Sequence, residues 1–227
     1  MIIIDYKSFL IFIQIQFFYG LKVHERLKMP KIVNREEKRK DIALKAYEFI
    51  IENGVKDFST DTLIRYMGIG KSSLYNYFKS KNEILFEVYR IGSDDYIEKL
   101  KINLQKANTL KEKLHAIFGF YLVDVIENPN LKDLYKQYTM VSFEDKTDYM
   151  IEINEKFMND LEPLLKEIYT SEFKKGTIKE EALGLIEYLQ ISVDGIFIYS
   201  CGLRNFDLKE KVENYIDSFI KVVEIKK

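Results

Sequence analysis

The residues with the clearest chemical potential lie close together between positions 71 and 81. Within this stretch the side chains that can donate hydrogen bonds are Lys71, Ser72, Ser73, Tyr75, Asn76, Tyr77, Lys79 and Lys81. The lysines add positive charge, and the two serines are small enough to let the backbone approach a ligand closely. Donors and positive charge at this spacing suit a polyanion such as nucleic acid.

Two short helices joined by a glycine turn are predicted to position these donors. Ser59 is a good N-cap for a first helix, and Gly68 permits the left-handed backbone that ends it. A second helix is predicted over 71–77. Leu74 and Phe78, four residues apart, form the apolar stripe that holds it to the first helix. This is the pattern of a helix-turn-helix, whose second helix enters the major groove of DNA.

The charge of the chain is unevenly distributed. Residues 29–82 hold eleven Lys or Arg and seven Asp or Glu, a net charge of +4, whereas the whole chain carries −1. Positive charge is therefore concentrated where DNA would bind, and counterion release would favour that binding. The polar arm over 31–40 is expected either to add phosphate contacts or to be a plain solvated helix start.

Composition argues against several other classes of protein. A single cysteine, Cys201, rules out an intramolecular disulfide and fits a reducing, cytoplasmic compartment. With only two histidines, His24 and His115, we expect no metal site and no cofactor. The chain shows no nucleophile–base pair and no glycine-rich phosphate loop, so we expect no enzymatic activity.

The rest of the chain is patterned as helices, and the predicted fold class is all-α. Five possible capping boxes mark helix starts, at Asn34…Glu37, Ser80…Glu83, Thr109…Glu112, Thr177…Glu180 and Asp207…Glu210. Apolar residues at helical spacing follow each of them. Beyond the helix that begins after Ser80, the pattern predicts helices over 109–127, 130–140, 143–170, 178–203 and 208–225.

Residues 42–88 resemble the N-terminal domain of the TetR family of transcriptional regulators. The family's first helix has an Ile-x-x-x-Ala-x-x-Leu-Phe pattern, which is matched here by Ile42, Ala46, Phe49 and Ile50 before Gly54. Its turn and recognition helix are typically Gly-Val-Ser-Lys-Gly-Thr-Leu-Tyr-x-Tyr-Phe. Residues 68–78 of this chain are Gly-Ile-Gly-Lys-Ser-Ser-Leu-Tyr-Asn-Tyr-Phe, and the departures from the family pattern are Gly70 for the serine cap, Ser72 for glycine and, in the preceding helix, Ile64 for alanine.

The resemblance implies a TetR-like fold, with a three-helix helix-turn-helix domain followed by a larger helical domain for ligand binding and dimerisation. The resemblance also implies that six residues contact the DNA phosphates: Thr60, Ser73, Tyr75, Tyr77, Lys79 and Lys81. It turns towards base edges the residues Lys71, Ser72 and Asn76, of which Lys can donate to guanine and Asn can pair with adenine.

The C-terminal half is rich in aromatic residues and methionine. Each of these suits core packing, and together they suit a pocket for a hydrophobic or aromatic small molecule. The candidate ligand contacts are His115, Phe118, Tyr121, Tyr138, Phe143, Met150, Phe157 and Tyr188. For His115, a place in the apolar core is the interpretation that the sequence favours.

The last two helices carry more apolar residues than one protomer's core needs, which predicts a homodimer. The candidate interface residues are Gly195, Tyr199, Gly202, Val212, Tyr215 and Phe219. TetR relatives pair in this way, through a four-helix bundle made by two chains.

Three regions are expected: a hydrophobic N-terminal extension over 1–28, a DNA-binding domain over 29–82 and a ligand-binding and dimerisation domain over 83–227. The extension is short and interrupted for a membrane span, so we expect no stable membrane association. Translation upstream of a true start at Met29, a packed segment and a surface anchor are its three interpretations. The predicted function is a repressor that leaves operator DNA when an unidentified small molecule binds. A protein-binding adaptor and a membrane-tethered regulator are the alternatives.

Overall fold

The computed structural model describes residues 34–144 and 147–225, so the extension over 1–28 lies outside the described residues. Within these ranges the α-helices are α1 (Arg35–Asn53), α2 (Thr60–Met67), α3 (Lys71–Tyr75), α4 (Lys81–Leu104), α5 (Leu110–Ile117), α6 (Val125–Glu127), α7 (Pro129–Glu144), α8 (Asp148–Lys174), α9 (Ile186–Gly202) and α10 (Leu208–Val223). A π-helical segment, Phe120–Asp124, lies between α5 and α6, and a 3₁₀ helix, Glu180–Leu185, precedes α9. The all-α prediction is confirmed.

Helix α4 belongs to two cores. Its first half contributes Ile84, Leu85 and Val88 to the apolar cluster formed by α1, α2 and α3, and its second half contributes Ile97 and Leu100 to the large C-terminal cluster. A smaller third cluster lies between α4, α7 and α8. Residues from Arg35 onward therefore form one compact unit, with α4 as the element common to both of its ends.

Several helix starts follow the predicted capping chemistry. The Ser59 hydroxyl accepts from the Thr62 amide at 3.1 Å, and the Thr62 hydroxyl accepts in return from the Ser59 amide at 2.7 Å. Thr109 and Glu112 form the predicted reciprocal box, at 3.2 and 3.1 Å. Asp207 caps α10 by accepting from the Glu210 amide at 2.9 Å.

The prediction of a capping box at Thr177 and Glu180 was wrong. The Thr177 hydroxyl donates back to Glu172, at 2.7 Å to the carboxylate and 2.8 Å to the carbonyl, so it closes the end of α8. The 3₁₀ helix that follows begins at Glu180. A side chain with two possible partners takes the one that tertiary packing brings closer, which the local spacing does not reveal.

Other helix boundaries also differ from the predicted ones. Helix α8 begins after Thr147, whose hydroxyl accepts from the Met150 amide at 3.2 Å, and it continues to Lys174. The helix predicted over 109–127 is broken by the π-helical segment into α5 and α6. None of the helices in the described ranges combines the length and apolar character needed to cross a bilayer.

Candidate nucleic-acid interface

The turn between α2 and α3 is built as the sequence predicts. Gly68 has φ +65°, and its amide donates to the carbonyl of Arg65 at 3.3 Å, which ends α2. Leu63 of α2 and Leu74 of α3 are fully buried, and Phe78 just beyond α3 is 1% exposed. The two short helices are therefore held together by apolar contacts on their inner sides, which leaves their polar sides outward.

Helix α3 is shorter than predicted. It covers five residues and ends at Tyr75, with Asn76 as its C-cap, so Tyr77 lies beyond the helix. Its N-cap is Gly70, which provides no side-chain hydrogen bond, and the amides of Ser73 and Leu74 bond to the Gly70 carbonyl. The absence of a capping side chain leaves the start of α3 less firmly fixed than the start of α2.

The predicted DNA-contact residues divide by exposure. The exposed ones are Lys71, Ser72, Tyr75, Asn76 and Lys79, and the half-buried ones are Thr60, Ser73, Tyr77 and Lys81.

Two contacts tie α2 to α3 on the outer side. The hydroxyls of Thr60 and Tyr75 lie 3.5 Å apart, and the Lys71 ammonium lies 3.5 Å from the carboxylate of Asp61. Thr60 and Tyr75, both predicted at the phosphates, are thus brought together. The Asp61 carboxylate therefore places a negative charge beside Lys71 on the outer side of α2 and α3, which the sequence analysis did not consider.

Lys81 differs from its predicted environment. Its ammonium lies 5.5 Å from the centre of the Phe58 ring, and partial burial lowers the pKa of its side chain. Its amine is therefore partly engaged by the protein itself, whereas Lys79 remains exposed.

Two arginines of α1 hold the backbone that follows α3. Arg35 donates to the carbonyl of Asn76 at 3.4 Å, and Arg39 donates to the carbonyl of Tyr77. The Arg39 guanidinium also lies over the Phe78 ring, 4.2 Å from its centre. The sequence analysis treated both arginines only as parts of a polar arm, because contacts between residues about forty positions apart leave no local pattern.

The Arg39 guanidinium reaches a buried carboxylate on α4. It lies 3.8 Å from Glu87 and 5.4 Å from the ring of Tyr149 on α8, and the Tyr149 hydroxyl donates to Glu87. Arg90 donates to the other Glu87 oxygen, at 3.1 Å from its Nε. Burial acts to raise the pKa of Glu87, but these hydrogen bonds and the two guanidinium groups outweigh it and lower the pKa.

Ionic contacts continue from this cluster along α4 and α8. Arg90 pairs with Asp94 at 3.1 Å, and Asp94 pairs with Lys156 of α8 at 2.6 Å. Together with the Glu87 cluster, these contacts connect the end of the recognition helix, through α1 and α4, to the long helix of the C-terminal region.

The predicted ligand contacts do not form one group. Phe118, Tyr121 and Phe157 belong to or pack against the large C-terminal core, and Tyr138 and Met150 belong to the small cluster between α4, α7 and α8. Tyr89, which the sequence analysis did not single out, joins the two, since its ring stacks on Tyr138 at 3.7 Å and lies 6.5 Å from Phe157.

The three remaining candidates lie outside this buried group. Phe143 and Tyr188 are 65% and 57% exposed, and the imidazole of His115 lies 2.9 Å from the carboxylate of Glu213 at the contact of α5 with α10. No group of three metal-binding side chains was found among the described residues.

The predicted dimer residues also divide. Val212 is fully buried and Phe219 is 9% exposed within one protomer, so these two predicted interface residues have little or no surface free for a partner. Of the three predicted interface residues on α10, only Tyr215 keeps partial exposure. Gly195, Tyr199 and Gly202 of α9 are exposed.

Comparison with known proteins agrees with this geometry. A family model described as "Bacterial regulatory proteins, tetR family" matches residues 42–88, which span α1 to the first half of α4. The fold and its outward-facing recognition helix define a helix-turn-helix transcriptional regulator that binds DNA. Residues 42–88 are thus those of a TetR-family DNA-binding domain, and the chain as a whole is similar to TetR-family regulators.

Two relatives extend the similarity beyond the DNA-binding region. The fatty acid metabolism regulator protein of Bacillus subtilis is 26% identical over 132 residues, which are 58% of this chain and 68% of the relative. The HTH-type transcriptional regulator QacR of Staphylococcus aureus is 28% identical over 136 residues, 60% of this chain and 69% of the relative. Both relatives are named as regulators.

Solved structures share the fold at low identity. A transcriptional regulator from Saccharomonospora viridis in complex with choline superposes with a TM-score of 0.67 at 17% identity, covering 84% of this chain and all of that one. The fatty acid degradation regulator FadR of Bacillus halodurans gives 0.59 at 18% identity, covering 86% of this chain and 97% of that one. These similarities establish the TetR-like architecture, with its N-terminal helix-turn-helix and larger helical C-terminal part.

Proposed function

We propose that the protein is a ligand-responsive repressor, which binds operator DNA as a homodimer and leaves it when a small molecule occupies the C-terminal region. The observation that carries the DNA-binding part is the outer face of α3, where Lys71, Ser72, Tyr75 and Asn76 are exposed above a fully buried Leu74. A rigid apolar support under exposed donors is what groove recognition requires. We place its action in the cytoplasm, which is typical of TetR-family regulators.

Within this surface we assign different roles to different residues. Tyr75 and Lys79, both exposed, contact phosphates and supply affinity, supported by Thr60, Ser73, Tyr77 and Lys81 around them. Lys71, Ser72 and Asn76 face the bases and supply sequence preference. Because Lys81 is partly engaged with Phe58, we place more of the affinity on Lys79.

The test is a double substitution with a matched control. Tyr75→Ala combined with Lys79→Ala is expected to weaken operator binding by roughly tenfold or more and to flatten its salt dependence, because phosphate contacts are lost. Tyr66 on α2 is as exposed as Tyr75, at 41% against 42%, and Lys106 is exposed beyond α4. Tyr66→Ala combined with Lys106→Ala should therefore keep wild-type binding in the same titrations.

The same titration separates the competing functions. A protein-binding adaptor that retains the helix-turn-helix only as a scaffold would bind no DNA at low salt, even as the wild-type chain. Equal binding by the two double variants would show that α3 is not the recognition helix.

For dimerisation we propose the outer face of α9. This face carries the exposed apolar side chains of Tyr188, Ile191, Ile198 and Tyr199, which together with Gly195 and Gly202 follow a helical spacing of three or four residues. A second copy of the same face would bury this stripe around a two-fold axis, and it would set two recognition helices about 34–36 Å apart to match successive major grooves.

Sedimentation would test this interface. Ile191→Asp, at a position 61% exposed on α9, should give monomers, because a charge at the centre of an apolar contact is costly to bury. Ile102→Asp, at a position 52% exposed on α4, should leave the dimer intact. Dimers from both variants would exclude the α9 face.

For the effector we propose a hydrophobic or aromatic small molecule bound among α4, α5, α7, α8 and α9. The support is the group of aromatic side chains there, in which Tyr89 stacks on Tyr138 and lies edge-on to Phe157. The Saccharomonospora viridis neighbour was solved with choline, and two similar Bacillus proteins are named as regulators of fatty acid metabolism or degradation, so these names do not favour one effector chemistry.

Coupling between effector and DNA is proposed to pass through α4, from the 83–227 ligand-binding and dimerisation region to the 29–82 DNA-binding region. The contacts that support this route are those of Glu87 with Arg39 and Tyr149. A coupling free energy of ~1–3 kcal/mol would lower operator affinity roughly 5–150-fold. Calorimetric titration of an effector should therefore give a weaker affinity with operator present than without it, and equal affinities would exclude the linkage.

A further inference from the structure

A carboxylate on α9 lies among aromatic rings without a cationic partner. Asp194 accepts hydrogen bonds from the Tyr121 hydroxyl and from Gln190 Nε2, the latter at 2.9 Å. In the described part of the chain no lysine, arginine or histidine pairs with it, and burial raises the pKa of its side chain. A half-buried negative charge is costly unless something neutralises it, and two neutral donors do so only in part.

Four rings in mutual contact include Tyr121, whose hydroxyl bonds to this carboxylate. The Tyr121 hydroxyl, which donates to Asp194, lies 3.3 Å from the hydroxyl of Tyr135. The Phe197 ring, three residues along α9 from Asp194, lies 4.9 Å from Tyr135 and 5.7 Å from Tyr121, and Phe120 lies 5.0 Å from Tyr135. Aromatic faces attract organic cations, and a nearby carboxylate adds to that attraction.

The backbone that presents two of these rings is unusual. Phe120 and Tyr121 begin the π-helical segment between α5 and α6, in which the amide of Val125 bonds to the carbonyl of Phe120, five residues earlier. Such wide turns are rare, and they are found mostly as short insertions at functional sites. A regular helix here would rotate Tyr121 away from its present direction, because each residue advances the helix by about 100°.

We propose that Asp194 and the rings of Tyr121, Tyr135 and Phe197 form the recognition end of the effector site and that the effector is an organic cation. This inference rests on the proposed ligand response, and it specifies the chemical class of the effector. When the ligand arrives, its positive charge lies against the carboxylate and its methyl or ring surface lies against the aromatic faces. The Tyr121 hydroxyl and Gln190 orient the Asp194 carboxylate, and their hydrogen bonds act against the rise in its pKa that burial causes.

The same arrangement selects against other ligands. A fatty acid or another anion would bring a second negative charge next to Asp194, which is unfavourable in a half-buried place. A neutral molecule of equal shape would gain the apolar contacts but not the charge pairing.

The test compares two probes of the same shape, benzyltrimethylammonium and its uncharged carbon analogue neopentylbenzene, by ligand-observed NMR titration of the full chain. Wild-type protein is expected to bind the cation roughly tenfold or more tightly than the neutral analogue. Asp194→Asn, which keeps an acceptor for Tyr121, should abolish this preference and leave the weak binding of the neutral analogue unchanged. Asp160→Asn, in an exposed pair with Lys156 on α8, should behave like wild type.

Equal binding of the two probes by wild-type protein, or binding of neither, would overturn the proposal. That comparison needs no variant, so it holds even if Asp194→Asn does not fold. Operator titrations on the same samples distinguish failure of the proposed ligand class from failure of the proposed function. Intact DNA binding without cation preference removes the ligand class only, whereas loss of DNA binding by the wild-type chain removes the proposed regulator itself.

Discussion

The DNA-binding region and the C-terminal region use polar residues in opposite ways. Around α1 to α3 the core is entirely apolar, with Leu63, Leu74 and Phe78 buried, and the residues proposed to act lie outside it. In the C-terminal region charged groups enter the interior, as in the buried pair of Lys113 with Glu172. The first region presents chemistry on a rigid support, and the second holds its chemistry inside the fold.

This difference also decides what a local sequence pattern can reveal. Residues 59–81 form their site from neighbours in the chain, so the turn at Gly68, the buried stripe of Leu74 and Phe78 and the outward donors could be predicted from spacing alone. Interior sites join residues that are distant in sequence, and local spacing does not predict such contacts.

The largest effect should come from removing the apolar support. Phe78→Ala is expected to lower the free energy of unfolding by ~3–5 kcal/mol, because the side chain is 1% exposed and its removal leaves a cavity under α3. Phe143→Ala removes the same side chain from a position that is 65% exposed, and it should change that free energy by less than about 0.5 kcal/mol. Urea denaturation of both variants gives the comparison, and equal losses would contradict the assigned cores.

The next effect concerns the buried charge pair of the C-terminal region. Burial acts to raise the pKa of Glu172, but bonds from Lys113, Thr177 and Lys175 outweigh it and lower the pKa to about 2. Because the folded pKa lies below the unfolded one, the stabilisation is complete above pH 5 and is lost as pH falls towards 2. Glu172→Gln should cost about 3 kcal/mol at pH 7, since it leaves Lys113 buried without an opposite charge.

Thermal denaturation between pH 7 and pH 2 checks that expectation. The wild-type melting temperature should fall more steeply below pH 5 than that of Glu172→Gln. Glu162→Gln, in an exposed pair with Lys166 on the same helix, should follow the wild-type curve. Parallel curves for all three chains would mean that the Glu172 pair contributes nothing to acid sensitivity.

A smaller effect is expected at the turn of the helix-turn-helix. Gly68 and Gly70 both have open space where a Cβ would lie, but only Gly68 has a positive φ, +65° against −73°. Gly68→Ala should therefore cost ~1–2 kcal/mol, whereas Gly70→Ala should be nearly neutral. Chemical denaturation distinguishes them, and a larger loss for Gly70→Ala would contradict the turn geometry.

The smallest effect on stability should come from the surface pair beside α3. Lys71 and Asp61 lie 3.5 Å apart with both side chains 66% exposed, so Asp61→Asn should change the free energy of unfolding by less than about 0.5 kcal/mol. It should nevertheless tighten operator binding roughly two- to fivefold at low salt, because it removes a negative charge next to a DNA-facing lysine. Glu98→Gln, in an exposed pair with Lys101 on α4, is the control and should change neither quantity. Unchanged DNA affinity in Asp61→Asn would argue against a base or phosphate contact by Lys71.

What the sequence left undetermined has a physical reason in each case. The apolar stripe of α10 indicates burial but not the surface that buries it, and Val212 lies against its own chain and not a partner. Arg39 meets Tyr77 across 38 residues, and Asp194 meets Tyr121 across 73, so neither contact leaves a motif. The helix class and the turn were predictable because short-range spacing determines them.

The contacts of Arg39 also bear on signalling from bound DNA to the C-terminal region. Its guanidinium touches the backbone after α3, the Phe78 ring and the cluster of Glu87 and Tyr149, so docking on a duplex is expected to restrain α8 as well. Energetic linkage between two sites is reciprocal. Operator DNA should thus slow amide hydrogen exchange near Tyr149, in a helix outside the proposed DNA-contact surface. Arg39→Lys should weaken that protection because an ammonium lacks the planar surface that stacks on Phe78.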